Sequence, residues 1–518
     1  MGTDQGTAYP LHMKSRKIYL TILGLWAVLV MAAAPALLSS VRKEWGYAHL
    51  DGFLAALCAL FIAYFWLNGT KDVVYALGYH FLPKLRSKMP ERGMGRGGDV
   101  VLIYCTCNDF DPHSLEESMK QTVPCRTVIL DDSSKSEYWE EINQFEESHP
   151  GVKVCRRADR KGFKAGNMNN YLATAEYDYF VILDSDEIIP PDFVSRCLDY
   201  FAAEPDTGIV QGNHIASRNR TPFMRMFSPG VDSHWPAYQA IKDRYGFLSL
   251  LGHGAMVSRD CYKAAGGFPP VVAEDLCFTI KARNAGYFAK FARDVICQEE
   301  YPVDYLAFRK RHAKWTQGNM EFIANYTLAI IKSPMRWFEK LDIVLFTYSL
   351  PLTAFFFLYL VLNVVVFPAI GKPLQYPFWM LVPTIVFLAA PMLNDWLTYR
   401  KWPIFRTLTY TILVMCLYGS VFLTSLRSSI ASVFGGAVFI VTPKKSQSIS
   451  LWESLKANCN EIAFSLLLLG ASLWFDKSAL PCILLIITGF SGTFLTLMGY
   501  HAPKEEPQPA PLFVTEEI

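Results

Sequence analysis

An α/β domain with a doubly wound, mostly parallel sheet, inserted between transmembrane helices, is the fold class this sequence predicts, on three observations. The 518 residues are 52% hydrophobic, high for a soluble chain of this length, and the excess lies in the two flanks. Between about Lys71 and Lys340 the composition is mixed and charged like that of a globular domain. Within that stretch short β-rich runs alternate with helical patterns, which implies parallel pairing through right-handed crossovers.

Taken in order, Val100 to Cys105 is a β-rich run that opens into Thr106-Cys107-Asn108-Asp109. Cys125 to Leu130 is a second, ending in Asp131-Asp132-Ser133; Val152 to Cys155 is a third; Tyr179 to Leu183 is a fourth, ending in Asp184-Ser185-Asp186. Helical patterns such as Pro112 to Gln121 and Gly166 to Ala175 separate them. Polar and acidic groups gathered at the carboxyl ends of successive strands are what a nucleotide site requires. Two carboxylates two residues apart on a tight turn can share one hard divalent cation. Spacing alone is weak evidence, because Asp109-Phe110-Asp111 repeats it. Only Asp184 and Asp186 close an apolar strand, Phe180 to Leu183, and that context favours a metal and diphosphate role over a solvated turn.

The flanks read as membrane segments. Ile18 to Leu38 is long enough to span hydrocarbon and follows Lys14, Arg16 and Lys17; Gly52 to Leu67 comes almost at once, so residues 1–70 are expected to form a helical hairpin. The basic start puts the domain of residues 71–340 in the cytosol. Beyond it lie apolar runs at Ile343 to Phe367, Phe378 to Trp396, Thr407 to Leu426, Ile462 to Phe475 and Ala479 to Met498. The third is flanked on both sides by Arg400, Lys401, Arg406, Arg427, Lys444 and Lys445, which favours a helix in the plane of the cytoplasmic face. That leaves six spans, in a plasma (inner) membrane protein, with residues 341–500 as the second membrane region and residues 501–518 as a disordered tail. Net charge of +2 says nothing of nucleic acid, and with no basic patch interleaved with aromatics to suggest it, nucleic acid is not an expected partner. Twelve cysteines at no zinc-like spacing read as free thiols in a reducing compartment.

The order Thr106-Cys107-Asn108-Asp109, Asp131-Asp132, Lys164-Ala165-Gly166-Asn167, Asp184-Ser185-Asp186, Ala273-Glu274-Asp275, Arg311-His312-Ala313-Lys314-Trp315 and Phe439-Ile440-Val441-Thr442-Pro443-Lys444 resembles the membrane-integrated family-2 glycosyltransferases. It is most similar to the branch of processive synthases that makes cellulose and curdlan. The resemblance implies a GT-A-like domain, a UDP-sugar donor with UDP-glucose favoured, a growing β-linked polysaccharide as acceptor, and Mg²⁺ or Mn²⁺ as cofactor. It also implies extrusion through the chain's own helices, with the lipid bilayer and accessory export subunits as partners.

A departing nucleoside diphosphate needs its charge neutralised, which a divalent ion and an ammonium do without proton transfer. Asp184 and Asp186 are the expected metal ligands, and Lys164, at a helix start, the ammonium. By the resemblance Thr106, Asp109, Asp131, Asp132, Asp184 and Lys314 complete the donor site, although Asp131 reads equally well as a strand-terminal cap. Inverting transfer needs a base for the acceptor hydroxyl. Asp275 is the candidate and Glu274 the fallback, against the plainer reading of Asp275 as an N-cap. Arg311 and Lys314 depart from the family's Q-x-x-R-W, while Trp315 keeps an indole on which a sugar ring can stack. Arg311, Trp315 and His253, the last within the small-residue stretch Leu251 to Met256, are the expected acceptor contacts. Phe439 to Lys444 resembles a gating loop (about residues 430–448) that offers Thr442 and Lys444 to the phosphates. The rival readings are transfer of one sugar to a polyprenyl phosphate or other lipid, and a transporter with a regulatory domain.

Overall fold

The computed structural model describes residues 14–95, 97–217, 221–435, 449–475 and 479–498. The strands are β1 (Val100–Thr106), β2 (Arg126–Asp131), β3 (Val152–Arg156), β4 (Tyr179–Asp184), β5 (Thr207–Ala216), β6 (Ala255–Ser258) and β7 (Phe288–Glu299). Among the described residues they form one seven-stranded sheet in the order β3-β2-β1-β4-β6-β5-β7. β1 pairs in parallel with β2 and β4, β2 with β3, and β5 with β7, whereas β6 runs antiparallel to both β4 and β5.

The apolar runs of β1 and β4 are continuous because both faces of the sheet are covered. Val101, Ile103, Phe180 and Ile182 enter one core with Ala165, Met168 and Phe278; Val100, Leu102, Tyr104, Val181 and Leu183 enter the other with Leu115, Phe193 and Cys197. Side chains alternate along each strand, so one run of β-formers supplies both cores. The four strands read from sequence are present within a residue of their expected ends; β5 and β7 add a second parallel pair.

β1 connects toward β2 and β3, while β4 has β6, β5 and β7 on its other side. The order therefore reverses between β1 and β4, and a crevice opens beyond their carboxyl ends. Thr106 ends β1 and Asp184 ends β4, the two edges of that crevice.

Among the described residues, four helices are long and apolar enough to cross a membrane: Lys17–Tyr47, His49–Phe81, Phe378–Thr398 and Ile404–Phe434. The helices Leu451–Ala457 and Cys459–Phe475, bent by 66°, add a fifth if they count as one span. The run Ile343 to Phe367, expected as one crossing, is broken into helices Trp337–Thr347 and Ser349–Val361 and a π-helical turn, Leu362–Val366. Ile404–Phe434, expected in the plane of the membrane face, has the length and apolarity of a crossing and packs along helix Tyr305–Lys332, with His312 bonded to Ser425 at 2.7 Å. The gating segment Phe439 to Lys444, with Thr442 and Lys444, lies outside the described residues, as does the tail from residue 501. Eleven cysteines, from Cys58 to Cys459, are free.

Candidate donor and transfer site

The loop after β1 is built around Asp109. Its carboxylate accepts from Thr106 Oγ1 (3.0 Å), the Cys107 amide (2.8 Å) and Ser185 Oγ (2.8 Å), which ties the end of β1 to the end of β4. Asn108 takes a left-handed backbone, with φ of 61°, and its side-chain oxygen accepts from the Ser134 and Lys135 amides at 2.8 and 3.1 Å. The same loop is thereby joined to the end of β2.

The adjacent carboxylates of β2 separate. Asp132 lines the crevice and is held by both edges of the Arg157 guanidinium, at 2.8 and 2.6 Å. Asp131, expected as a donor contact, is absent from the crevice wall: buried, it accepts from Arg156 Nε at 2.7 Å and the Ser133 amide at 2.8 Å. Neighbouring residues at a strand end point to opposite faces, which places Asp132 on the crevice and Asp131 against Arg156.

Lys164 sits in the first turn of helix Phe163–Leu172, after Gly162 and Phe163, both at positive φ (73° and 52°). Its ammonium donates to Asp184 Oδ1 and, at 2.8 Å, to the Gly252 carbonyl. Burial works against that charge, but Asp184, with help from Glu274, raises the Lys164 pKa above its ordinary value. Asp184 and Asp186 line the same cavity. They suit a hard cation that keeps much of its shell and takes its other ligands from phosphate oxygens, and the side chain of Asp184 is 39% exposed to receive one.

Glu274 and Asp275 form the first turn of helix Glu274–Asn284, so Asp275 is inside the helix and not its cap. Asp275 accepts from the Leu276 amide at 2.7 Å. Burial, and then the charge of Asp275, push the Glu274 pKa up to about 7, against Lys164 and Lys314. Burial also raises that of Asp275. Both effects favour the state in which one carboxyl of the pair keeps a proton.

Arg311, Lys314 and Trp315 fall at i, i+3 and i+4 of helix Tyr305–Lys332 and all line the cavity. Trp315 is 46% exposed, and the Arg311 guanidinium lies 4.5 Å from its ring centroid. Burial lowers the Lys314 pKa, opposed by Glu274 and Asp184. His253, expected to touch the acceptor, has both ring nitrogens on carboxylates: Nδ1 on Glu187 and Nε2 on Glu299 at 3.3 Å. Burial disfavours its charge, yet those two carboxylates raise its pKa well above the ordinary value. His253 lines the cavity, but with both ring nitrogens on carboxylates it has no N–H left to give an acceptor.

Sequence reading missed Arg157, Glu187, Gln211 and the Gly252 carbonyl. For Glu187 a signal existed: it directly follows Asp184-Ser185-Asp186. All the crevice residues share one cavity of about 1570 Å³, which continues between the apolar helices to Phe61, Phe65, Phe356, Phe387 and Phe422.

Residues 179–422 match the model of the glycosyl transferase family group 2. The chain is 27% identical over 234 residues to a beta-monoglucosyldiacylglycerol synthase of Synechocystis sp., covering 44% of this chain and 48% of that protein. It is 25% identical over 217 residues to a probable glucomannan 4-beta-mannosyltransferase of Arabidopsis thaliana, covering 40% and 39%. The chain thus spans less than half the length of either relative. Among solved structures, a mannosyltransferase from Pyrobaculum calidifontis in complex with GDP-Man and Mn²⁺ superposes with a TM-score of 0.46 at 18% identity, covering 72% of this chain and 99% of that one. The matched segment runs from β4 through Glu274 and Asp275 into the apolar helices and takes in less than half of the chain, so the likeness is to part of its GT-A-like α/β domain and the helices that follow it.

Proposed function

We propose that the chain is an inverting glycosyltransferase that takes a sugar from a nucleoside diphosphate, UDP-glucose being favoured, and adds it to the end of a β-linked polysaccharide lying between its own helices. The observation that carries this reading is the continuity of the cavity from Asp109, Lys164 and Asp184 past Asp275 and Trp315 to the aromatic side chains of the apolar helices.

Asp109 and Asp132 hold the nucleoside side of the donor, and Thr106 fixes Asp109 by its hydrogen bond. The Lys164 ammonium, with Lys314 across the cavity, stabilises negative charge as the sugar–phosphate bond breaks. Asp184 and Asp186 would hold Mg²⁺ or Mn²⁺, which supplies Lewis-acid neutralisation of the leaving diphosphate. Asp275 removes the proton from the attacking acceptor hydroxyl, and Glu274, protonated for much of the time, keeps the pair from carrying two charges. The Trp315 indole supports the acceptor ring. In this reading the domain faces the cytosol of a multi-pass plasma membrane protein.

A second reading, transfer of one sugar to a lipid, is favoured by the apolar lining of the cavity between the helices. The purified protein in lipid nanodiscs, given radiolabelled UDP-glucose or GDP-mannose with Mn²⁺, separates the two. Water-soluble product of high mass, cut by a linkage-specific β-glycanase, is expected. Label confined to an organic-soluble monoglycosyl lipid would replace the first reading by the second, and no labelled product from any donor would overturn both.

A further inference from the structure

We propose that Glu187, with Gln211, is a positioning residue of the transfer reaction: the two clamp the Leu251–Gly254 loop so that its Gly252 carbonyl fixes Lys164 and its bare Cα flanks Asp275. The inference rests on the reading that this site transfers sugar.

Glu187 is fully buried at the end of β4, one residue beyond Asp186. Its carboxylate accepts from His214 Nε2 on β5 at 3.1 Å and from His253 Nδ1 on the loop. Glu299, at the end of β7, takes the other nitrogen of His253 at 3.3 Å. Gln211, also fully buried, holds the loop from the β5 side: its oxygen accepts from the Leu251 amide at 2.9 Å and its amide donates to the His253 carbonyl at 2.9 Å. The fit is close. A Cβ on Gly254 would stand 2.2 Å from His214 Nε2 and 2.5 Å from Glu187 Oε1, and Gly254 has φ of 55°.

The loop stands between the two halves of the chemistry. The Gly252 carbonyl receives the Lys164 ammonium at 2.8 Å. A Cβ on Gly252, at φ of 92°, would stand 3.3 Å from Asp275 Oδ2. The carbonyl thus orients the cation that meets the diphosphate, and the missing side chain keeps the face of the base clear. Apart from the Glu187 amide, which donates to the Asp184 carbonyl at 3.1 Å, Glu187 and Gln211 act through the loop that they hold. A misplacement of about 1 Å at such a support is enough to cost roughly 100-fold in rate. Two acceptor oxygens, and not shape alone, are needed at position 187, because His214 meets Oε1 and His253 meets Oε2 and glutamine offers only one.

The test uses the full chain in nanodiscs, with Glu187→Gln, Gln211→Met and the double variant Glu187→Gln/His253→Gln. Each single change is expected to lower kcat by at least about tenfold while donor KM, and calorimetric affinity for UDP with Mn²⁺, stay within about threefold. The double variant is expected to regain only part of the loss, since a neutral amide pair can restore the hydrogen bond between positions 187 and 253 while Glu299 loses its histidine partner. Unaltered kcat in both single variants overturns the inference. So does a kcat loss matched by an equal loss of UDP affinity, or one that follows the fraction of folded protein by thermal melt. If Glu187→Gln does not fold, Gln211→Met decides. If wild type transfers no sugar, the reading beneath is refuted and the inference with it.

Discussion

Glu274→Gln should stabilise the protein at alkaline pH and not at acid pH. In the fold the Glu274 carboxyl titrates at about 7, against an ordinary 4.5, because burial and the Asp275 charge outweigh Lys164 and Lys314. A group whose folded pKa is raised binds its proton more tightly when folded. Its contribution is fully present below about pH 4.5 and is lost as pH rises through about 7. That rise is worth on the order of a few kcal/mol of folding free energy at pH 8, shared between the two carboxylates and lessened by the side chain's contact with the cavity. Glutamine has the same shape without the charge. For a domain of this size each kcal/mol moves the thermal midpoint by about 2–4 °C, so Glu274→Gln should melt several degrees above wild type at pH 8 and only a small part of that above it at pH 5. Intrinsic-fluorescence melts in nanodiscs at the two pH values measure this. A difference between variant and wild type that is the same at pH 5 and pH 8 would refute the reasoning, since the ionisation would then cost nothing specific to the fold.

Asp275→Asn should reduce transfer by about 10²–10⁴-fold while UDP affinity stays within about threefold, because a base acts on the acceptor; substantial residual synthesis would remove Asp275 from that role. Asp186→Ala should weaken calorimetric UDP binding in Mn²⁺, with the difference from wild type vanishing in EDTA; equal binding and turnover by wild type with and without EDTA would exclude the metal. Trp315→Ala should lose chain elongation far more than hydrolysis of the donor, and equal loss of both would make the indole a structural anchor.

Much of the fold was legible because its signals are local. An uninterrupted apolar run bounded by polar residues can only be satisfied by burial on both faces, so β1, β2 and β4 and the acidic groups at their ends follow from the chain alone. The Glu274-Asp275 turn and the i, i+3, i+4 set of Arg311, Lys314 and Trp315 are local in the same sense. β5 was not legible, since Gln211, Asn213 and His214 interrupt it with polar residues that are nonetheless buried. Nor was the antiparallel course of β6, four residues long, whose direction depends on the strands it meets.

What tertiary structure alone decided is which carboxylate faces the cavity and which faces a partner. Asp131 and Asp132 are equivalent in sequence, and Arg156 and Arg157, 25 residues away, separate them. His253 reads as a ligand in its glycine-rich stretch, yet Glu187, 66 residues earlier, claims it. The physical reason is one of range. Hydrophobic periodicity and strand ends are set by neighbours within a few residues, whereas the role of a charged group is set by whichever opposite charge the topology brings within about 3 Å, and no local pattern records that distance.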